Sequence, residues 1–314
     1  MTSRLSLSGA AMVLLAATIW GVGGVMVNTM VDLGMPPFQV VFYSNGLAFL
    51  VLLVVMTIVA PRYVLVGWRE VPRVSAGGLL GAGVSFTCYA NAVALTTVSL
   101  ATVLLYTAPA WVTLLAWRFL GEQVGSRRVL AVIAAFIGCA LVARLYHPDA
   151  LQGSLIGVGY GLVSGFGYGA AIVVGKHVLV RHHPLSVALF GSGATALLVL
   201  PFQSTLLPTT LPGTSLLWLV AFLIGPTIVA PVVFNIGLRR LQAGLVTLLG
   251  MWELVVAVAL GVVLLSEPME LPQAFGVLLV AASVIVLRPT SPPEPPTDDL
   301  EPARVGVATG SSSG

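Results

Sequence analysis

Apolar stretches of roughly 17–25 residues, the length that crosses a bilayer's hydrocarbon core, follow one another along this chain with short polar breaks between them. They lie at about 7–27, 36–59, 74–95, 99–120, 127–145, 154–175, 184–202, 215–237, 243–265 and 271–288. A membrane strand would need segments of only about 10 residues with alternating polarity, so these runs predict helices. A helix also satisfies its own backbone polar groups in lipid. The first run is too long for the apolar core of a signal peptide and continues through Gly23, Gly24 and Asn28, so it reads as an uncleaved first span. The pattern predicts an all-α membrane protein with ten transmembrane helices.

The chain also repeats itself. Setting residue n under residue n+148 places Trp20-Gly21 over Tyr168-Gly169, Asn28 over Lys176, Pro36 over Pro184, Phe42 over Phe190 and Ser44 over Ser192. Gly81 and Asn91 meet Gly225 and Asn235 at n+144, and Glu122 meets Glu267 at n+145. Each copy holds five spans, and a unit with an odd number of spans enters the membrane from opposite sides when repeated in tandem. The expectation is two inverted five-helix repeats, 1–145 and 150–288. Repeats of that kind build secondary transporters, with the substrate between the halves near mid-bilayer.

Of the 314 residues 58% are hydrophobic and 8% charged, far from the composition of a soluble globular chain. With the N-terminus inside, thirteen of the fourteen Lys and Arg collect on the inner side, and Arg144 alone stays outside. Short loops follow that bias, so both termini are expected in the cytoplasm and the chain in the cell membrane. The net charge of +3 follows from this topology. No basic patch interleaved with aromatics points to nucleic acid. Cys88 and Cys139 fall inside spans and read as buried small hydrophobes rather than a disulfide. From Pro289 the chain turns to Pro, Ser, Thr, Gly and acids. Such a segment is too poor in apolar residues to order itself, and 289–314 is expected as a disordered cytoplasmic tail.

Polar groups at membrane depth are costly unless partnered, which makes a small set conspicuous. Glu253 is the one acid well inside a span. Gly250, Ala257 and Gly261 share its helix face, and a face of small residues means close helix packing, so Glu253 is expected to point into the bundle. Two readings stand at equal weight: a protonatable or cation-binding carboxylate facing a central cavity, and a carboxylate hydrogen-bonded at a helix crossing. Trp20, Gly24 and Asn28 form a stripe on span 1, and Tyr168, Ile172 and Lys176 its counterpart on span 6. Aromatics there suit the wall of a cavity for an amphipathic substrate, interfacial anchoring being the alternative. Trp68 and Trp218, at segment ends, fit the anchoring role. Lys176 also fits snorkelling to the interface.

Asn91 and Asn235, related by the repeat, are positioned to hydrogen-bond substrate or to join helices. Pro226 and Pro231 interrupt span 8 and free carbonyls, useful where they line a cavity. Pro109 is expected to kink span 4 beside Tyr106 and Trp111. Asn45 and Trp252 complete the expected substrate-binding set of Trp20, Asn28, Asn45, Asn91, Tyr106, Trp111, Tyr168, Lys176, Asn235 and Trp252, with Glu253 as the coupling group.

The sequence contains no His-Glu-x-x-His, Walker A or Gly-x-Ser-x-Gly motif and no metal-binding cluster of acids. His147, His177, His182 and His183 fall in or beside predicted loops. No enzymatic activity, cofactor or metal is expected. The expected partners are a small-molecule substrate, the lipid bilayer and protons, with the chain acting as a monomer or homodimer.

Several of these residues together resemble the EamA-type branch of the drug/metabolite transporter superfamily. They are Trp20-Gly21, Pro36, Ala94-Leu95 followed by Pro109, Gly121-Glu122, and Glu253 with Glu267 fourteen positions on. The resemblance runs over roughly 7–288. It implies a proton-motive-force-linked or facilitated exporter of small metabolites, amino acids being the commonest guess. Members often carry a Lys near the end of span 1 and an Arg in span 2, where this chain has Asn28 and Ser44-Asn45. The second-half Glu-Pro pair here reads Glu253-Leu254. The two missing cations weigh against an anionic substrate. A lipid or lipid-linked carrier flippase of the same architecture is the alternative. A non-transporting scaffold or sensor would need a folded soluble domain, and only 289–314 lies outside the spans at any length.

Overall fold

A computed structural model describes residues 2–202, 213–265 and 269–286; Glu267, Arg288 and the expected tail at 289–314 lie outside the described residues. Every regular element among the described residues is helical. Helix α1 is Thr2–Asp32 and α2 is Pro37–Val59. Helix α3 runs through Val71–Gly78, a π-helical segment at Leu79–Ser85, and Phe86–Leu95. Helix α4 consists of Val98–Leu105 and Ala108–Leu120, and α5 is Ser126–Val142. Helix α6 is Leu155–Val178, and α7 is Pro184–Val199 ending in a 3₁₀ turn at Leu200–Phe202. Helix α8 runs through Gly213–Phe222, a π segment at Leu223–Val229, and Ala230–Arg240. Helix α9 consists of Ala243–Gly250 and Trp252–Leu265, and α10 is Leu271–Val286.

Eight of these helices, α1–α4 and α6–α9, are long and apolar enough to cross a membrane. Helix α5 is shorter, at 17 residues, or about 25 Å at the α-helical rise, and α10 is described over Leu271–Val286. Large apolar side chains such as Ile58, Leu155 and Leu217, between 69% and 89% of their kind in exposure with neighbours like Ile156, face outward. In water such a surface would be untenable; against lipid it costs nothing.

The interruptions recur in register. Leu79–Ser85 and Leu223–Val229 are both seven residues long and lie 144 positions apart. The eight-residue segments Val98–Leu105 and Ala243–Gly250, each followed by a break in the helix, lie 145 apart. In α4 the break falls at Tyr106-Thr107, with Pro109 in the first turn of the next segment. Proline fits there, because its missing N–H has no intrahelical acceptor in any case.

The halves interlock rather than sit side by side. Helix α1 packs on α8 and α9, α6 packs on α3 and α4, α2 on α7, and α5 on α10. Helix α3 meets α7 at the closest approach: a Cβ built on Gly78 falls 2.3 Å from the Cα of Gly191. Helix α5 crosses α10 with Gly138 against Gly276.

Contacts between loops define two ends. At one, Arg240 bonds Ser8 at the start of α1, Lys176 at the end of α6 reaches the end of α8, and Arg128 at the start of α5 meets Gln242. At the other, the Ser154 amide before α6 donates to the Leu95 carbonyl at the end of α3, and Arg144 meets Glu270. Helices α1 and α6 therefore start at opposite ends. The first is called the basic end below.

Because the atoms facing Gly78 are backbone, no rotamer change can relieve a side chain there. Gly78→Val is expected to destabilise the protein by about 1–3 kcal/mol. Gly159→Ala, at an exposed helical position with nothing within 4 Å, should be neutral or slightly stabilising. Thermal unfolding of both variants in detergent checks the contrast.

Candidate functional site between the halves

Glu253 lies in the first turn of the second segment of α9, immediately after the break at Met251. The turn is fixed from α1. The Trp252 indole donates to the Thr18 hydroxyl at 3.2 Å, and Gly21 presses so close that a Cβ there would lie 2.9 Å from the Glu253 carbonyl. Tyr89 on α3, Tyr106 at the α4 break and Tyr168 on α6 all lie within electrostatic reach of the Glu253 carboxylate. Tyr168 points its hydroxyl at Gly250, 3.8 Å from where a Cβ would stand, and Tyr89 bonds Thr102 at 3.0 Å. Among the described residues no hydrogen bond or ion pair reaches the Glu253 carboxylate, and its side chain is only half-buried. The structure thus gathers Tyr106, Tyr168, Trp252 and Glu253 at one level where α1, α3, α4, α6 and α9 meet.

The other expected residues spread around this cluster. Trp20 donates its indole N–H to the Pro226 carbonyl at 3.0 Å and packs on Phe234 at 5.1 Å. Pro226 sits inside the π segment of α8, where the irregular backbone leaves carbonyls to be satisfied from outside the helix. Trp111 on α4 meets Phe166 edge-on at 5.4 Å, and its indole N–H is buried without a partner among the described residues. The same holds for the Thr87 hydroxyl on α3. Asn45 and Asn91 turn their amides back to the carbonyls of Val41 and Thr87, four residues earlier. Asn235 is half-buried on α8, and Asn28 is exposed near the end of α1. Lys176 donates to the carbonyls of Leu238, Arg239 and Leu241 at 2.7, 3.2 and 2.5 Å. It caps the C-terminus of α8 as a cation should.

Tyr89 escapes a sequence-only reading. It stands on a different face from Thr87, Cys88 and Asn91, and the signal that marks it is only a phenol in mid-span. A π segment adds a residue to the turn, so a face drawn with one period cannot be carried from Val71–Gly78 past Ser85.

Two polar networks tie the halves together at the ends of the bundle. At the basic end, the Glu122 carboxylate accepts from the amides of Ala243 and Gly244 at 2.6 and 3.3 Å, capping α9. It also pairs with Arg128 at 3.1 Å, the two side chains being 9% and 7% exposed. Arg128 in turn donates to the Gln242 side chain at 2.7 Å. At the opposite end Glu270 accepts from the Tyr146 hydroxyl at 2.5 Å, meets His147 at 3.3 Å and pairs with Arg144 at 3.6 Å. Hydrogen bonds from Tyr146 and His147 hold the Glu270 carboxyl below its usual range.

The model of the EamA-like transporter family matches residues 7–144 and, a second time, 155–288. The chain belongs to this family. Relatives of this EamA-like transporter include an uncharacterized transporter of Archaeoglobus fulgidus, 28% identical over 198 residues, or 63% of this chain and 70% of that one. An uncharacterized transporter of Synechocystis sp. is 27% identical over 194 residues, 60% of this chain and 58% of that one. A solved crystal structure superposes with a TM-score of 0.73 at 19% identity, covering 90% of this chain and 96% of the other, which is a likeness of fold. This EamA-like transporter is thus a multi-pass membrane protein of a transporter family.

Two measurements test the networks. Removing one member of a buried pair leaves the other charge uncompensated, so Glu122→Ala should cost about 3–5 kcal/mol. Arg128→Met should cost less, because Glu122 keeps the two α9 amides. Unfolding of the two variants in detergent tests that order, and equal losses would deny the capping role. At the other end, the depressed Glu270 carboxyl contributes stability above its ordinary value of 4.5, and the contribution fades as pH falls below it. The difference in melting temperature between wild type and Glu270→Gln should therefore be present at about pH 6 and shrink toward about pH 3.

Proposed function

We propose that this protein is a secondary transporter that exports a small zwitterionic, neutral or cationic metabolite, such as an amino acid, across the cytoplasmic membrane by alternating access. Proton coupling runs through Glu253. The observation that carries the reading is this carboxylate, unpaired among the described residues and within electrostatic reach of Tyr89, Tyr106 and Tyr168, which come from both halves of the chain. An intramembrane acid without a structural partner is a site for a proton or a substrate amine. The tyrosines supply hydroxyls and ring faces, and the buried indole N–H of Trp111 and hydroxyl of Thr87 are donors available to a polar substrate.

The same proposal includes ten spans in two inverted repeats, 1–145 and 150–288. It draws support from the interruptions matched 144 and 145 positions apart and from the opposite starting ends of α1 and α6. The basic end is assigned to the cytoplasm, since Lys and Arg accumulate there. Helix α5 spans less than the usual core, which a bilayer accommodates by thinning or by snorkelling of flanking residues. In an alternating cycle the Glu122–Arg128–Gln242 network and the Arg144–Glu270 network would open in turn.

The test is untargeted metabolite profiling of medium and cytosol from cells expressing wild type or Glu253→Gln. The expected result is a compound that accumulates in the medium with wild type and falls to the empty-cell level with the variant. Equal export by both would reduce Glu253 to a packing group. No difference between wild type and empty cells would move the assignment to lipid transport.

A further inference from the structure

We propose that Arg62, Arg181 and Arg239 form a binding site for a phosphate group at the basic end of the bundle. The three come from separate places in the chain: the α2–α3 connection, the α6–α7 turn and the last turn of α8. They converge on one pocket of about 380 Å³, room for roughly a dozen waters. No carboxylate lines it. The nearby acid, Glu70, is engaged by Arg73 at 2.6 Å and His182 at 3.4 Å. None of the three arginines has an acid partner among the described residues.

The pocket is built as well as charged. Tyr63 and His183 stack at 3.8 Å and form one wall, with the Arg62 guanidinium over the Tyr63 ring at 4.6 Å. The Ser186 hydroxyl donates to the Tyr63 carbonyl at 2.6 Å and ties the α2–α3 connection to α7. His183 accepts the Leu185 amide on Nδ1, which suits a neutral ring. Burial, and then the charges of Arg239 and Arg62, push its pKa down. Three guanidinium groups lining one pocket with no acid partner among the described residues suit an anion, and their planar forks match phosphate oxygens. The general excess of cations at this end does not require such convergence, because Arg69, Arg118 and Arg127 stand apart from the pocket.

Leu65, Trp68 and Val180 beside the pocket are 81%, 78% and 72% exposed. That places the site where headgroups meet acyl chains, so the phosphate can belong to an anionic phospholipid or to a soluble anion. The site is independent of the transport reading, and its test involves no flux.

Purified full-length protein in nanodiscs of phosphatidylcholine is titrated with pyrophosphate by calorimetry. In parallel, native mass spectrometry counts phosphatidylglycerol retained from mixed micelles. Saturable pyrophosphate binding assigns the site to a soluble anion, and selective phosphatidylglycerol retention assigns it to the lipid; either supports the proposal. Arg62→Gln, Arg181→Gln and Arg239→Gln should each weaken the positive signal roughly tenfold. Arg181→Lys, which keeps the charge and loses the fork, should recover only part of it. These side chains are exposed, and unchanged thermal unfolding verifies that each variant folds. Binding in neither arm overturns the proposal. So does an Arg127→Gln control that weakens the signal as much as Arg181→Gln, since that is the behaviour of diffuse surface charge.

Discussion

A backbone carbonyl or amide inside a bilayer has no water to turn to, and this fold is organised around the places where the helix fails to provide a partner. Several such places are met by a side chain from elsewhere in the chain. Trp20 serves the Pro226 carbonyl in the π segment of α8. Lys176 serves the last carbonyls of α8, Glu122 the first amides of α9, and Thr97 the Ala150 carbonyl at the opposite end. The Ser85 hydroxyl, closing the π segment of α3, adds a bond to the mid-helix Ser164 carbonyl on α6 at 2.9 Å. Most of these bonds run from one half of the chain to the other, so the demand for backbone satisfaction is also what fastens the halves together.

That requirement explains why the polar residues divide into two kinds. Those that serve the backbone are accounted for by geometry, as with the ammonium of Lys176 or the amides of Asn45 and Asn91 folded back on their own helices. Glu253 is of the other kind. It sits beside a helix break, among hydroxyls, without a structural partner among the described residues. The break at Met251 matters here, because it sets the carboxylate at the start of a helical segment rather than in the middle of a continuous rod.

How much of this can be read from the sequence depends on the range of the interaction. Run length marks the helices, since crossing a bilayer is a demand on each segment alone. Landmarks such as Gly81 and Gly225 reveal the repeat, and the π segments fall on them; Pro226 marks the second segment, whereas Leu79–Ser85 contains no proline and leaves no such local trace. Glu253 stands out because an acid in an apolar run is conspicuous without knowledge of its neighbours. Partners 206 residues apart, such as Trp20 and Pro226, are invisible until the helices are packed. The arginines of the basic end read as topology alone, because only the folded loops bring Arg62, Arg181 and Arg239 to one pocket.

The paired π segments carry a consequence for how such a chain tolerates change. Each is equivalent to one extra residue slipped into a regular helix. Deleting a single residue from Leu79–Ser85 or Leu223–Val229 would let the wide turn close to the ordinary pitch while the segments on either side keep their facing. Asn91 or Asn235 would then stay on its present face, whereas a deletion from the regular part of the same span would turn everything beyond it by about 100°. Loss of one residue here is therefore absorbed within a turn, whereas in the regular helix it is a rotation of half a span.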